Sequence, residues 1–343
     1  MTHACNSLGA AGVGGTLPHP MRTSAKSPQH NQAVLMLLVA NLFWGLSFPL
    51  IKALGLLQER LLPGVGTWFS GLCTVAPRFL LATLILMIWQ ARDRRRICRG
   101  EFKQGIIIGL FAAIGMLFQN DGLQFTAAST SAFLTQFYAI LIPVYLAIKS
   151  RRSPRLSIWV SCVLVLAGVA ILGRFDWQTL SFGRGEWETL LASVFFMGQI
   201  LWLEKKEFAD NRPEKLTLVM FSTQALIFCT LACILAPDTR ALIEPWLSPA
   251  WLGLTATLTV FSTLGAYILM NTWQPKITAT EAGLIYCIEP IFGSAMALFL
   301  PGLFSVWTGI NYPDELATLN LLIGGGLITA ANIIIQLNPP VRT

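Results

Sequence analysis

The sequence predicts an all-α integral membrane protein with ten transmembrane helices, arranged as two inverted repeats of five helices each. Three observations lead to this fold class. Apolar segments follow one another along the whole chain, basic residues collect in alternate gaps between them, and the second half of the chain resembles the first. Hydrophobic residues make up 54% of the chain and charged residues only 12%, whereas a soluble domain carries about 25% charged residues.

The apolar segments have the length that a membrane-spanning helix requires. Most contain about 20 residues, which is what a helix needs to cross a hydrocarbon core of about 30 Å. A helix satisfies its own backbone hydrogen bonds, so it needs no polar partner in lipid. The segments are continuously apolar and lack the two-residue alternation of a transmembrane β-barrel. In order, they are 33–53, 72–91, 104–124, 129–148, 156–174, 188–203, 216–236, 250–272, 280–300 and 317–337.

Basic residues separate these segments in a regular order. Of the 24 Lys and Arg residues, 18 lie in the termini or in the even-numbered gaps, and Arg78 alone lies well inside a segment, away from its ends. Cytoplasmic loops are enriched in Lys and Arg, so both termini and the even gaps are predicted to lie on the cytoplasmic side of the cell inner (plasma) membrane. From the N-terminus these residues are Arg22, Lys26, Arg92, Arg94, Arg95, Arg96, Arg99, Lys103, Lys149, Arg151, Arg152, Arg155, Lys205, Lys206, Arg212, Lys215, Lys276 and Arg342.

Two stretches are less regular than the rest. The sixth segment, 188–203, gives the weakest signal because it is short and bounded by Glu188 and the charged run 204–206. Residues 1–32 are rich in small and polar residues and contain neither an acidic residue nor an apolar core. We expect a disordered cytoplasmic tail there rather than a secretory signal peptide, and translation starting at Met21 is a second interpretation.

The distribution of histidine and cysteine argues against several kinds of site. His3, His19 and His30 all belong to the predicted tail, and the seven cysteines contain no Cys-x-x-Cys pair. The predicted membrane domain thus lacks the residues of a zinc site or a Ser-His-Asp triad, and we expect no metal and no cofactor. The net charge of +7 lies in the gaps, where it sets topology, so nucleic acid is not an expected partner.

An internal repeat divides the membrane domain into residues 33–174 and 188–337. With an offset of 150, residues 111–134 overlie 261–284 without a gap. Each half holds an odd number of segments, so the second half enters the membrane from the opposite side, as in many secondary transporters. The residues matched at this offset are Phe111 with Phe261, Gly115 with Gly265, Gln124 with Gln274, Thr130 with Thr280, Ala132 with Ala282 and Leu134 with Leu284, and an offset of 152 matches Ala40 with Ala192, Phe43 with Phe195 and Lys52 with Glu204.

Four short motifs follow one another at characteristic places in the segments. Two of them combine a charged residue with an apolar helix, one is a run of small residues, and one joins Glu to Pro. They are Trp44-Gly45-Leu46-Ser47 with Lys52 in the first segment, Arg78-Phe79-Leu80-Leu81-Ala82 in the second, the run from Ser129 to Pro143 in the fourth, and Glu289-Pro290 in the ninth.

In this order the motifs resemble the drug/metabolite transporter superfamily, specifically its EamA-type ten-helix exporters, over roughly 33–337. The resemblance implies a bundle with a central cavity lined mostly by helices 1, 3, 4, 6, 8 and 9. Two positions depart from the family pattern. Ile148-Lys149 stands where helix four often ends in Gly-Glu, and an apolar outer loop is expected over 301–316.

Glu289 is the strongest candidate for a functional residue. Inserting a charged residue at the centre of a transmembrane helix costs about 2.5–3.5 kcal/mol on insertion scales. We therefore expect this carboxyl group to have a function or a polar partner. It could take up and release a proton during transport, and Pro290 would permit a local break in the helix. The competing interpretation is a hydrogen-bonded glutamate that fixes helix packing.

Other candidates are polar or aromatic residues inside the apolar segments. Each could line a cavity, or could form an interhelical hydrogen bond, typically worth about 0.6 kcal/mol. Arg78 is expected to pair with a carboxylate or to extend towards the outer interface. Gly168 and Gly324-Gly325-Gly326 suggest close helix packing. The candidates for substrate binding or coupling are Glu289, Trp44, Ser47, Arg78, Gln119, Gln136, Tyr138, Gln199, Tyr267, Asn271 and Tyr286.

The resemblance and the repeat together predict a secondary transporter, which exports a small metabolite or amino acid by alternating access and is coupled to protons. The expected partners are the small-molecule substrate, the lipid bilayer and protons, with the chain as a monomer or a homodimer. Two other functions stay open at this point. One is a membrane-embedded enzyme acting on a lipid or lipid-linked substrate, and the other is a sensor or scaffold without transport.

Overall fold

The protein is helical throughout the part that its structure describes. This computed structural model describes residues 28–93, 95–125, 131, 134–172 and 183–337. Three short 3₁₀ helices and one π-helical segment, Leu258–Gly265, accompany the α-helices. The α-helices are α1 Pro28–Leu61, α2 Thr67–Gln90, α3 Arg99–Phe125, α4 Tyr138–Ser150, α5 Leu156–Leu172, α6 Arg184–Leu203, α7 Pro213–Leu235, α8 Thr239–Ile243, α9 Pro249–Thr257, α10 Ala266–Trp273, α11 Ala279–Tyr286, α12 Glu289–Ala297, α13 Leu300–Thr308 and α14 Leu319–Leu337.

Several of these helices can cross a membrane. By length and composition five qualify, namely Pro28–Leu61, Thr67–Gln90, Arg99–Gly122, Pro213–Leu235 and Pro249–Lys276. A sixth qualifies if Ala279–Ala297 and Leu300–Thr308, which bend by 56°, are counted as one span. The prediction of an all-α membrane protein is therefore confirmed for the described residues, whereas ten spans and their inverted arrangement stay predictions.

The helix boundaries differ from the predicted segments at several places. Helix α1 starts at Pro28 and continues to Leu61, well beyond the predicted 33–53, while residues 1–27 of the predicted tail lie outside the described residues. Helix α6 starts at Arg184 rather than at 188.

The expected outer loop over 301–316 is wrong in its first half, since α13 occupies Leu300–Thr308. Pro301 is tolerated in the first turn, where its missing N–H has no helical partner to lose. Gly309 ends the helix with a φ of 71°, a left-handed conformation that glycine adopts without steric cost.

Two predicted spans are interrupted in the middle. In the fourth segment a turn at Gln136 and Phe137 precedes α4, and in the ninth a turn at Cys287 and Ile288 separates α11 from α12. Pro290 lies in the first turn of α12, where its ring and missing N–H fit. Such interruptions leave backbone polar groups without their usual helical partners at membrane depth, a feature tolerated where the backbone lines a cavity or is buried in protein.

The helices pack into one bundle around aromatic and small residues. Helix α3 packs along α6 and α7, α2 along α7, α5 along α14, and α1 against α12, α10 and the π-helical segment. At the crossing of α2 and α7 the fully buried Phe79 lies with its ring centroid 5.7 Å from that of Phe221 and 5.5 Å from that of Phe228. Gly168 of α5 lets α14 approach closely, since an added Cβ would lie 2.7 Å from the Gly324 carbonyl oxygen.

Candidate functional site

A cavity of about 870 Å³ extends from the middle of the bundle to one of its ends. We call this end, where α1 ends and α2 begins, the mouth end. Gln58, Glu59 and Ser70 line the cavity there, together with Tyr312 and Glu315 from the connection before α14. The described lining residues include none from the connection between α6 and α7, which marks the opposite, closed end.

Aromatic side chains form the inner wall of the cavity. The Trp44 ring of α1 makes edge contacts with Tyr267 of α10 and Tyr286 of α11, and each pair of ring centroids is 5.4 Å apart. All three residues line the cavity. The Tyr286 hydroxyl donates to Gln274 Oε1 at 2.8 Å, and Gln274 Nε2 donates to the Ile200 carbonyl at 2.9 Å. These bonds join α11 to α6 directly beneath the aromatic wall.

Glu289 lies at the interruption of the ninth segment, as the first residue of α12. Its side chain is half-buried, and it lines the cavity. Within the described residues its carboxylate has neither a hydrogen bond nor an ion pair, although Arg78 interacts with it electrostatically. A carboxylate that faces a cavity in the middle of the bundle without a protein partner is available to a substrate or a proton.

Arg78 of α2 is buried and also lines the cavity. Its Nε donates to Thr263 Oγ1, and its Nη2 donates to the Ser262 carbonyl at 3.3 Å. Its guanidinium stays inside the bundle rather than extending outward, and among the described residues it interacts with the Glu289 carboxylate electrostatically but without an ion pair. Its hydrogen-bond partners belong to the π-helical segment, which the sequence does not predict, and the geometry of that segment directs a carbonyl and a hydroxyl at the guanidinium.

The other candidates divide into those that line the cavity and one that does not. Gln119 Nε2 donates to Thr135 Oγ1 at 3.1 Å, and the Tyr138 hydroxyl donates to Gln136 Oε1 at 2.8 Å. Asn271 is fully buried away from the cavity, and its Nδ2 donates to Thr217 Oγ1 of α7 at 2.9 Å. The predicted candidates found in the cavity wall are Trp44, Ser47, Arg78, Gln119, Gln136, Tyr138, Gln199, Tyr267, Tyr286 and Glu289.

Gln199 of α6 presents an unused donor in the cavity wall. Its side chain is buried, and its Nε2 has no hydrogen-bond partner among the described residues. A buried donor without a partner costs about 1–3 kcal/mol, so a polar substrate group beside it would recover that hydrogen bond. Gln199 and Glu289 are thus both polar residues of the cavity wall with a side-chain group that has no hydrogen-bond partner among the described residues.

Some lining residues were not predicted as site residues. Lys52 was expected at the outer end of the first helix, but it lies within α1 and lines the cavity, with its Nζ 5.2 Å from the Tyr312 ring centroid. Gln58 is buried beside it, and its Nε2 donates to Thr74 Oγ1 at 3.2 Å. The predicted first segment ends at residue 53, so Gln58 lies outside it, although α1 continues to Leu61.

The closed end is held by polar contacts between helix termini. Arg212, before α7, donates to Glu101 of α3 from Nε at 2.6 Å and from Nη2 at 2.9 Å. Lys215 Nζ lies 3.0 Å from an Asp93 carboxylate oxygen, and this hydrogen bond lowers the pKa of Asp93. The Ala279 N–H at the start of α11 donates to Glu204 Oε2 at 2.8 Å.

His30 also takes part in closing this end, so its assignment to a disordered tail is wrong. It lies in the first turn of α1, and its Nε2 is 3.1 Å from Glu281 Oε1 of α11. Glu281 is almost completely buried, which favours a basic group beside its carboxylate. In the described part of the chain no three His, Cys, Asp or Glu residues are grouped as metal ligands.

The chain resembles proteins that are known as transporters. Residues 31–174 match the EamA-like transporter family. An uncharacterized transporter of Archaeoglobus fulgidus is 24% identical over 310 residues, covering 89% of this chain and 86% of the relative. The uncharacterized transporter YwfM of Bacillus subtilis is 28% identical over 177 residues, covering 50% of this chain and 56% of the relative.

A solved crystal structure shares the fold. It superposes with a TM-score of 0.61 at 15% identity, over 91% of this chain and the whole of the other chain. The family match covers the first of the two predicted repeats, and the archaeal relative extends the similarity over both. These similarities agree with the motif order from Trp44 to Glu289-Pro290 and with the helical membrane fold. The similarities therefore support a membrane transporter whose residues 31–174 resemble the EamA-like transporter family.

Proposed function

We propose that this protein is a secondary transporter that exports a small metabolite or amino acid across the inner membrane by alternating access, with Glu289 coupling transport to protons. The observation that carries the proposal is the cavity of about 870 Å³, whose described lining residues run from the middle of the bundle to the mouth end and include none from the connection between α6 and α7. A transporter needs a site at that depth which is reached from one side at a time.

Charge supports an outward orientation of the cavity. Arg92, Arg95 and Arg96 lie between α2 and α3 at the closed end, and Arg99 begins α3 there. The basic residues of 205–215 lie at the same end. Because Lys and Arg are enriched on the cytoplasmic side, the closed end is cytoplasmic and the mouth end faces outward. The described conformation is then outward-open.

Matched contacts in the two halves support an inverted repeat. Phe43 packs on Phe261 with ring centroids 5.7 Å apart, and Phe111 packs on Phe195 at 6.4 Å. The offsets of 150 and 152 convert one pair into the other. Gly265 likewise lies under the Phe43 ring, and its counterpart Gly115 lies under the ring of Phe196.

The interruptions of the fourth and ninth segments support the same symmetry. The turns at 136–137 and 287–288 are related by an offset of about 150. Both border the cavity, since Gln136 lies in the first turn, Tyr138 follows it, and Glu289 follows the second turn. Interrupted helices at corresponding positions of two repeats are typical of a transporter's substrate site.

Alternating access follows if the two halves exchange conformations. In the outward-open state the contacts at the closed end join α11 to α1 and to the end of α6, and they join α3 to the start of α7. In the opposite state these contacts separate, and the residues of the mouth end come together. Substrate in the inner part of the cavity then passes from one side to the other while Glu289 binds a proton on one side and releases it on the other.

Replacing Glu289 tests the coupling. Glu289→Gln keeps the shape and polarity of the side chain but cannot exchange a proton, so pH-gradient-driven transport in proteoliposomes should be abolished while solute exchange at equal pH persists. Glu59→Gln, at the mouth end of the same cavity, is the matched control and should retain gradient-driven transport. Unchanged gradient-driven transport by Glu289→Gln would overturn the proposed coupling.

A further inference from the structure

The π-helical segment Leu258–Gly265 interrupts the eighth span between α9 and α10. In an α-helix the Ala266 N–H would bond to the carbonyl of Ser262, four residues earlier. Here it bonds to the Phe261 carbonyl, five residues earlier, and also to the Thr263 carbonyl, three residues earlier. π-helices are rare and occur frequently at functional sites, and this segment has a stabilising contact from outside its own backbone.

Arg78 supplies that contact. Its Nη2 donates to the Ser262 carbonyl, the group that Ala266 would use in an α-helix, at 3.3 Å. Its Nε donates to Thr263 Oγ1, and this hydroxyl in turn donates to the Leu258 carbonyl at 3.2 Å. Ser262 Oγ donates to the Phe43 carbonyl of α1 at 2.6 Å. One guanidinium therefore fastens the π-helical segment to α2, and the segment is fastened in turn to α1.

The conformation of this segment determines the position of Tyr267. Returning one π insertion to α-helix would move the following residues by one position, about 100° of rotation and 1.5 Å of rise. Tyr267 is the second residue of α10 and would leave its place beside Trp44 in the cavity wall. The shape of the inner cavity thus depends on whether the segment is π-helical.

The matched region of the first half lacks this feature. Residues 111–115, which correspond to 261–265, belong to the continuous α-helix α3. The position 150 residues after Arg78 is Phe228, an apolar residue of α7 that packs on Phe79. If the two repeats exchange conformations, each repeat must be able to adopt both conformations. A contact that is present in only one repeat therefore favours one of the two access states of the transporter.

We infer that Arg78 is a positioning residue, which holds the eighth span in its π-helical form and thereby stabilises the outward-open cavity. The inference rests on the proposed alternating access. When the cavity closes on its outer side, the Arg78 guanidinium releases Ser262 and Thr263, and the π-helical segment returns to α-helix. Arg78 needs no contact with substrate for this role.

Thr263→Val tests the inference because it removes the hydroxyl acceptor with little change of shape. Thr263 is fully buried and is not among the cavity-lining residues, so the substitution leaves the cavity wall unchanged. Thr263→Ser keeps the hydroxyl and is the matched control. Loss of a hydrogen bond to a charged group shifts an equilibrium by about tenfold.

The readout is the access of the cavity from outside. Ser294→Cys places a thiol in the cavity wall, and its reaction with a membrane-impermeant maleimide is measured in right-side-out vesicles, after subtraction of the parent protein without the substitution. Starting from evenly populated states, Thr263→Val should lower the labelling rate about fivefold, and Thr263→Ser should leave it unchanged. Arg78→Gln, which also loses the bond to the Ser262 carbonyl, should lower it at least as much, and adding Thr263→Val to Arg78→Gln should lower it no further.

Three outcomes would overturn the inference: an unchanged labelling rate for Thr263→Val, a faster rate, or an equal decrease for Thr263→Ser. A faster rate is what general loosening of the packing would produce. The measurement requires no substrate, so it separates this inference from the proposed function. A decrease in labelling in a protein without any measurable flux would retain the positioning role and reject transport.

Discussion

Glu289 and Arg78 bring opposite charges to one cavity, and their local surroundings give them different roles. The Arg78 guanidinium is already engaged by Ser262 and Thr263. The Glu289 carboxylate has no such partner among the described residues, so it is the group available for exchange. Tyr286 lies three residues before Glu289, across the interruption between α11 and α12. Its hydroxyl donates to Gln274, which in turn donates to the Ile200 carbonyl of α6.

At this scale the Tyr286 hydroxyl should contribute measurably to stability. Tyr286→Phe leaves Gln274 Oε1 buried without its donor, which costs about 1–3 kcal/mol. We expect a lower midpoint of thermal unfolding in detergent. Tyr145→Phe is the control, since Tyr145 is exposed and its ring stacks only on the Lys149 ammonium. Equal midpoints for the two variants would contradict the assigned bond.

The sequence predicts many of the residues of the cavity wall, because a polar or aromatic side chain within an apolar segment must face something other than lipid. It does not predict their partners. Asn271 lies four residues after Tyr267 and on the same helix face, yet it bonds to Thr217 in the packed interior. The partners of Arg78 depend on a π insertion, which leaves no mark in hydropathy.

Among the helices, contact distances at glycine separate essential from incidental small residues. Gly168 of α5 faces the Gly324 backbone, whereas Gly326 of α14 has open space where its Cβ would be. The run 324–326 suggested close packing as a whole. Only the geometry of the α5–α14 contact distinguishes these three glycines, because the sequence alone does not determine which face of a helix turns towards its neighbour.

Gly168→Ala should therefore separate α5 from α14. Its Cβ would lie 2.7 Å from the Gly324 carbonyl oxygen, and overpacking of this kind typically costs about 1–3 kcal/mol. Gly326→Ala meets no atom within 4 Å and should be neutral or slightly stabilising, since alanine favours helix. Thermal unfolding of the two variants in the same detergent checks this. A Gly168→Ala protein as stable as Gly326→Ala would show that the two helices pack differently.

For the whole molecule, the charge pattern predicts which end is cytoplasmic, and the internal repeat predicts which helices correspond. The interruptions at 136–137 and 287–288 and the one-sided π-helical segment lie beyond such patterns. These irregularities depend on contacts of the backbone with other helices, so only the tertiary structure reveals them. The proposed outward-open transporter combines both kinds of information.

Access to the inner cavity from both sides tests alternating access most directly. Ser47 lies in the cavity wall beside Trp44, and a Ser47→Cys thiol can be exposed to an impermeant reagent in right-side-out and in inside-out vesicles. The exposed Cys98, at the closed end, should react only in inside-out vesicles and so reports that the vesicles are sealed. We predict that the thiol at position 47 reacts from both sides. Reaction from one side alone, at every pH and with every substrate tried, would contradict the account.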